Sequence, residues 1–156
     1  TKKYEVNSPK LLNWFLPTFI LISEKDMILK IITHERIVFE GEVDELVIQT
    51  KTGQMGILKD HIPLTTVLDV GVTKAKQGDK YRYFATMGGV LQFKDNVATI
   101  LTDVCEDGCD IDVTRANDAK SRAEARLADT SAKIDSQRAQ AALARSLARL
   151  KAALNK

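Results

Sequence analysis

From Met27 to Asp103, apolar residues recur in short runs with a tendency to alternate, and turn-forming residues separate them every eight to twelve positions. A period of two predicts strands, and breaks at this spacing predict many short ones. The runs fall at 28–33, 37–40, 46–50, 56–58, 65–68, 72–76, 81–86, 90–93 and 97–101. Gln77-Gly78-Asp79 and Asp95-Asn96 read as hairpin turns, because Gly and Asn tolerate positive φ. This pattern predicts a β-sandwich or flattened barrel of about ten short strands. Its single modest core is expected to hold Phe39, Leu46, Ile48, Leu64, Val67, Phe84 and Phe93.

Beyond Gly108 the period changes. Asp112 or Thr114 can cap a first helix whose apolar positions, Ala116, Ala119, Ala123 and Leu127, are three or four residues apart. Asp129-Thr130-Ser131 is a polar break. A second helix from about Ala132 carries Leu143, Leu147, Leu150 and Leu154 at spacings of four, three and four. The short connection and matched stripes predict an antiparallel two-helix hairpin. The chain is thus divided into a β domain at 27–108 and a helical hairpin at 109–156.

Composition sharpens that division. Every Gly and Pro lies within the first 108 residues, whereas 13 of the 16 alanines and six of the eight arginines follow Cys109, with no aromatic among them. Alanine favours helix formation, yet firm docking requires large buried apolar groups, so the hairpin reads as a movable arm. Charge divides at the same place. Residues 1–111 hold 13 basic and 16 acidic side chains (net −3), and residues 112–156 hold 10 and 5 (net +5). The arm suits an acidic partner surface or a phosphate-bearing ligand. It suits nucleic acid poorly, since no aromatic is interleaved for base stacking.

Residues 1–26 stand apart. Asn13 to Ile22 is strongly apolar but only ten residues long and interrupted by Pro17, too short for a bilayer span. The strand pattern begins just after Met27, which makes 1–26 a peripheral or non-native extension. Cys105 and Cys109 supply neither a disulfide framework nor, with the distant His34 and His61, a metal set. They read as two reduced thiols.

Three motifs together give this chain a specific resemblance. They are Gly53-Gln54-Met55-Gly56-Ile57-Leu58-Lys59-Asp60-His61-Ile62-Pro63-Leu64; Gly88-Gly89-Val90 with Asn96-Val97-Ala98-Thr99-Ile100-Leu101; and Ile111-Asp112-Val113-Thr114-Arg115-Ala116 with Ala119 and the 122–127 run. Over residues 27–150 the sequence resembles the epsilon subunit of F-type ATP synthases, with Lys59 and His34 standing where prolines are usual. The resemblance implies a non-catalytic central-stalk rotor subunit that joins the gamma subunit, the c-ring and the catalytic beta subunits. It would sit peripherally on the cytoplasmic face of the bacterial inner membrane, held there only through the complex. Gln54 and His61 match c-ring contact positions, although the glycine loop also reads as a structural crossover in which Gly53 and Gly56 permit tight turns.

In bacterial members, the I-D-x-x-R-A segment marks a site for one ATP that is bound without hydrolysis. The matching positions are Glu106, Ile111, Asp112, Arg115, Arg122, Arg145 and Arg149. Arg115 and Arg122 share one face of the first helix, and Arg145 and Arg149 one face of the second. An antiparallel hairpin would gather all four guanidiniums at one end. The alternative is that these arginines are solvated, or reach acidic partner residues, and that Asp112 is only a cap.

Released and extended, the arm would bring Arg138, Arg145, Arg149 and Lys151 to the beta subunits and inhibit ATP hydrolysis. No cofactor is required, and ATP would serve as a regulatory ligand. No glycine-rich phosphate loop with its lysine appears in the sequence. The competing reading is an adaptor that presents a basic hairpin to another acidic partner.

Overall fold

The computed structural model describes residues 26–129 and 135–155. Residues 1–25 of the expected extension at 1–26, and the Thr130-Ser131 part of the polar break, lie outside the described residues. Eight strands come first: β1 (Met27–Ile32), β2 (Ile37–Val43), β3 (Glu45–Thr50), β4 (Gly53–Leu58), β5 (Leu64–Gln77), β6 (Lys80–Lys94), β7 (Val97–Leu101) and β8 (Cys105–Asp107). Two helices follow, α1 (Val113–Ala128) and α2 (Ser136–Leu154). The expected order of a β domain and then a helical hairpin therefore holds.

The strands pair in the order β2-β1-β7-β6-β5-β3-β4, with β8 added to β6. Among the described residues, only β1 and β7 run parallel. Two pairs of expected strands are continuous: 65–68 and 72–76 merge into β5, and 81–86 and 90–93 into β6. The break anticipated within β6 is a change of neighbour. Residues 84–86 pair with β8 and 90–94 with β7, and Gly88-Gly89 lies between them at positive φ. At Gly89 a Cβ would sit 2.2 Å from the Leu101 carbonyl oxygen, so only glycine lets β7 approach there. Both expected hairpin turns form. Gly78 opens the β5–β6 turn at φ 58°, and Asp95 and Asn96 both take positive φ between β6 and β7.

The core gathers Met27, Leu29, Ile31, Phe39, Leu46, Ile48, Ile57, Phe84, Leu91, Phe93 and Ile100. Leu64 only flanks it, and Val67 departs from the expectation altogether at 56% exposed. The alternation of β5 turns Leu64, Thr66 and Leu68 inward and Val67 out. Gly56 also differs from expectation: it lies within edge strand β4, away from positive φ, and makes no turn.

Asp112 caps α1 by accepting the Arg115 N–H at 3.0 Å, and Asp135 caps α2 in the same way from Arg138. That second cap precedes α2 at Ser136, and Ala132, where the sequence pattern places the helix start, lies outside the described residues. α2 lies on β5 and β6, and α1 packs on α2. Sandwiched in this way, α2 buries Ala139, Ser146, Ala148, Ala152 and Ala153. The leucine stripe read from the sequence is not the docked face: Leu150 packs inward, while Leu147 and Leu154 are exposed. Small side chains let helix and sheet approach closely, which a leucine seam would prevent.

Candidate functional site

The hairpin and the sheet enclose a cleft of about 350 Å³ where β8 leads into α1. β8 supplies Glu106; the following turn and cap supply Asp110, Ile111 and Asp112; α1 supplies Arg115, Ala116, Ala119 and Arg122; α2 supplies Arg149. Seven residues apart on one helix, Arg115 and Arg122 present their side chains to the same space. Six of the seven expected residues meet here. Arg145 does not line the cleft. It lies one turn earlier on α2, about 6 Å along the axis from Arg149.

Arg149 is already engaged. Its Nε donates to both Glu106 carboxylate oxygens, at 3.0 and 3.1 Å, and Nη2 donates to Oε1 at 2.6 Å. This fork joins the last turns of α2 to β8 with both partners half-buried. Among the described residues no ion pair engages Arg115 or Arg122. The cleft therefore combines three guanidiniums, of which only Arg149 is ion-paired, with the carboxylates of Glu106, Asp110 and Asp112 and an apolar floor at Ile111, Ala116 and Ala119. Such a lining can receive a multivalent anion that carries a flat apolar group.

A second ion pair ties β6 to β8 on the face opposite Glu106. Arg82 of β6 pairs with Asp107 of β8 while its guanidinium lies over the Phe39 and Phe84 rings, at 4.9 and 5.4 Å. Asp107 Oδ1 also accepts the Cys109 N–H at 3.0 Å and so shapes the turn into α1. Burial pushes the Asp107 carboxyl up, but the Cys109 N–H and the Arg82 guanidinium outweigh it and hold the group below the usual carboxylate range. Neighbouring Cys105 is buried, and that desolvation, opposed by the Thr86 hydroxyl and reinforced by the Asp107 and Glu106 charges, raises its thiol to about 11. Cys109 is exposed.

Sequence reasoning did not place Asp110, Ala116 or Ala119 at the site, and it missed the Arg82–Asp107 brace. Asp110 directly precedes the I-D-x-x-R-A segment, and Ala119 lies one turn after Arg115, so both carried a readable signal. The brace spans 25 residues and carried none.

The other expected contact residues are dispersed. Gln54 opens edge strand β4, exposed, and pairs in register with Gln49. His61 follows the far end of that strand, with its ring edge-on to Phe93 at 5.9 Å. With about 13 Å of strand between Gln54 and Leu58, the two mark opposite ends of one edge. On α2, Arg138, Arg145 and Arg149 fall within about 40° of one another around the axis, and Lys151 lies on the other side.

The sheet surface carries one further feature. Val67 pairs with Val90, Val90 with Leu101, Leu101 with Ile32, and Ile32 with Ile37. Paired residues point to one side of a sheet, so five apolar side chains form a row about 19 Å wide across five strands. Val67, Val90, Leu101 and Ile37 are each 40–57% exposed. A contiguous exposed apolar row on a soluble surface marks a contact site.

Comparisons with known proteins agree across both parts of the chain. Residues 26–108 match the family model for the ATP synthase, Delta/Epsilon chain, beta-sandwich domain, and residues 110–153 the corresponding long alpha-helix domain. The chain is 46% identical over 129 residues to the ATP synthase epsilon chain of Symbiobacterium thermophilum, covering 82% of this chain and 93% of that one. It is 42% identical over 125 residues to that of Desulforamulus reducens, covering 80% and 95%. A chain in the mitochondrial ATP synthase OSCP/F1/c-ring structure of Euglena gracilis has the same fold, with a TM-score of 0.71 at 23% identity over 83% of this chain and 81% of that one.

Proposed function

The chain belongs to the ATP synthase delta/epsilon family, a non-catalytic subunit of the central stalk, and from that premise we propose that it grips the rotor with its β domain and regulates ATP hydrolysis with its hairpin. The apolar row Val67–Val90–Leu101–Ile32–Ile37 is the grip on the gamma subunit. The β4 edge, from Gln54 to His61, faces the c-ring. Assembled so, the subunit lies on the cytoplasmic face of the bacterial inner membrane through the complex alone. Among the described residues no helix is long and apolar enough to cross a membrane.

The hairpin is the regulator. Docked, it rests on a small cluster of Ile111, Ala116, Ala152 and Ala153 against Ala85, with little apolar area to hold it. Two arrangements that differ by a few kcal/mol can then exchange. Released, α2 carries Arg138, Arg145, Arg149 and Lys151 to acidic surface on the beta subunits and blocks hydrolysis. ATP favours the docked form by seating its phosphates among Arg115, Arg122 and Arg149 and its base on the apolar floor. The convergence of three guanidiniums from two helices on one cleft is the observation that supports this reading. Within the assembled enzyme, removing every residue after Asp110 is expected to raise ATPase activity; unchanged activity refutes the brake.

A further inference from the structure

At Gly108 the backbone of α2 closes directly on the chain that leaves β8. Its N–H donates to the Tyr83 carbonyl at 2.7 Å, continuing the β6–β8 pairing by one residue. A Cβ built there would lie 2.5 Å from the Ala152 carbonyl oxygen and 3.0 Å from the Ala152 carbonyl carbon and the Tyr83 oxygen. All three are backbone atoms, which cannot rotate aside. Gly108 is also absent from the positive-φ residues, so the local chain path admits any residue. The demand for glycine comes from α2.

We propose that Gly108 is the seat of α2, and that its missing side chain sets the balance between docked and released hairpin independently of any ligand. Comfortable contact begins at about 3.5 Å, so a methyl group would move α2 out by about 1 Å. Ala152 and Ala153 would then part from the sheet side of the docking cluster, Ala85 with the partly buried Val72, Tyr83 and Met87. The Tyr83 oxygen, at 3.0 Å, belongs to the sheet and needs to give only a few tenths of an ångström. Gly108 lies outside the ligand cleft, so the effect is on docking rather than on recognition. This inference rests on the reading that the hairpin can leave the sheet.

Hydrogen exchange of the full chain, without nucleotide, tests it. Gly108→Ala is expected to speed exchange of the α2 amides by about tenfold or more, while amides of Leu91 and Ile100 keep their protection. Gly56→Ala, where a Cβ meets nothing within 4 Å, should leave both unchanged. Ala152→Leu approaches the same contact from the helix and should reproduce the release. If Ala152→Leu frees α2 and Gly108→Ala does not, the seat is refuted and the movable hairpin stands. If either substitution exposes α2 only together with Leu91 and Ile100, Gly108 is a residue of the β fold and the movable hairpin fails as well.

Discussion

Arg149 on α2 closes a fork on Glu106 of β8, 43 residues away, with its shortest bond at 2.6 Å. This is the one ion pair among the described residues that ties the hairpin to the sheet. It also engages one of the three guanidiniums that line the cleft. On the proposed reading, Arg149 is a latch in the empty state and a phosphate contact in the filled one. In a double-mutant cycle of Glu106→Gln and Arg149→Ala, unfolding by denaturant should give a coupling of about 1 kcal/mol, near the top of the range for partly exposed pairs. Zero coupling would show that the fork contributes nothing to docking.

The two thiols should behave differently. Cys109 is exposed, whereas Cys105 is buried with its thiol raised to about 11. The thiolate is the reactive form, so a thiol reagent at neutral pH should titrate one group in the folded chain and two in denaturant. Rapid reaction of both in the folded chain would mean that β8 is not packed as described.

Acid should weaken the Arg82–Asp107 brace between β6 and β8. Asp107 is held below the usual carboxylate range when folded. A depressed folded value contributes stability above the unfolded value, and that stability is lost as pH falls through the folded one. Stability should thus decline from about pH 4 downward, and Asp107→Asn should flatten that part of the profile. Denaturant midpoints taken between pH 7 and pH 3 measure it, and an unchanged slope in Asp107→Asn counts against the brace.

The exposed row is testable through one central residue. Val90 pairs with both Val67 and Leu101 and is 40% exposed. Val90→Lys should weaken association with gamma at least about tenfold, as for a central contact residue, and change stability by no more than about 0.5 kcal/mol. Undiminished association places the grip elsewhere.

Features set by neighbouring residues were legible in the sequence. Asp112 as a cap, the Asp95-Asn96 turn, and Arg115 with Arg122 on one helical face all follow from local spacing. Features set by what lies opposite were not. Val67 looks like a core residue until the β5 alternation is fixed by Leu68. Leu147 and Leu154 make a plausible seam until α2 is found between a sheet and a second helix, where alanines fit and leucines do not. Arg145 falls short of the cleft by one turn, a displacement that its four-residue spacing from Arg149 does not reveal.

The central claim is that the cleft holds one intact ATP by its arginines. Isothermal titration of the full chain with ATP measures this directly. The expected result is one site with a dissociation constant between about micromolar and millimolar, abolished by Arg122→Ala and leaving the recovered nucleotide unhydrolysed. No heat at millimolar ATP, or heat that Arg122→Ala leaves unchanged, would contradict it.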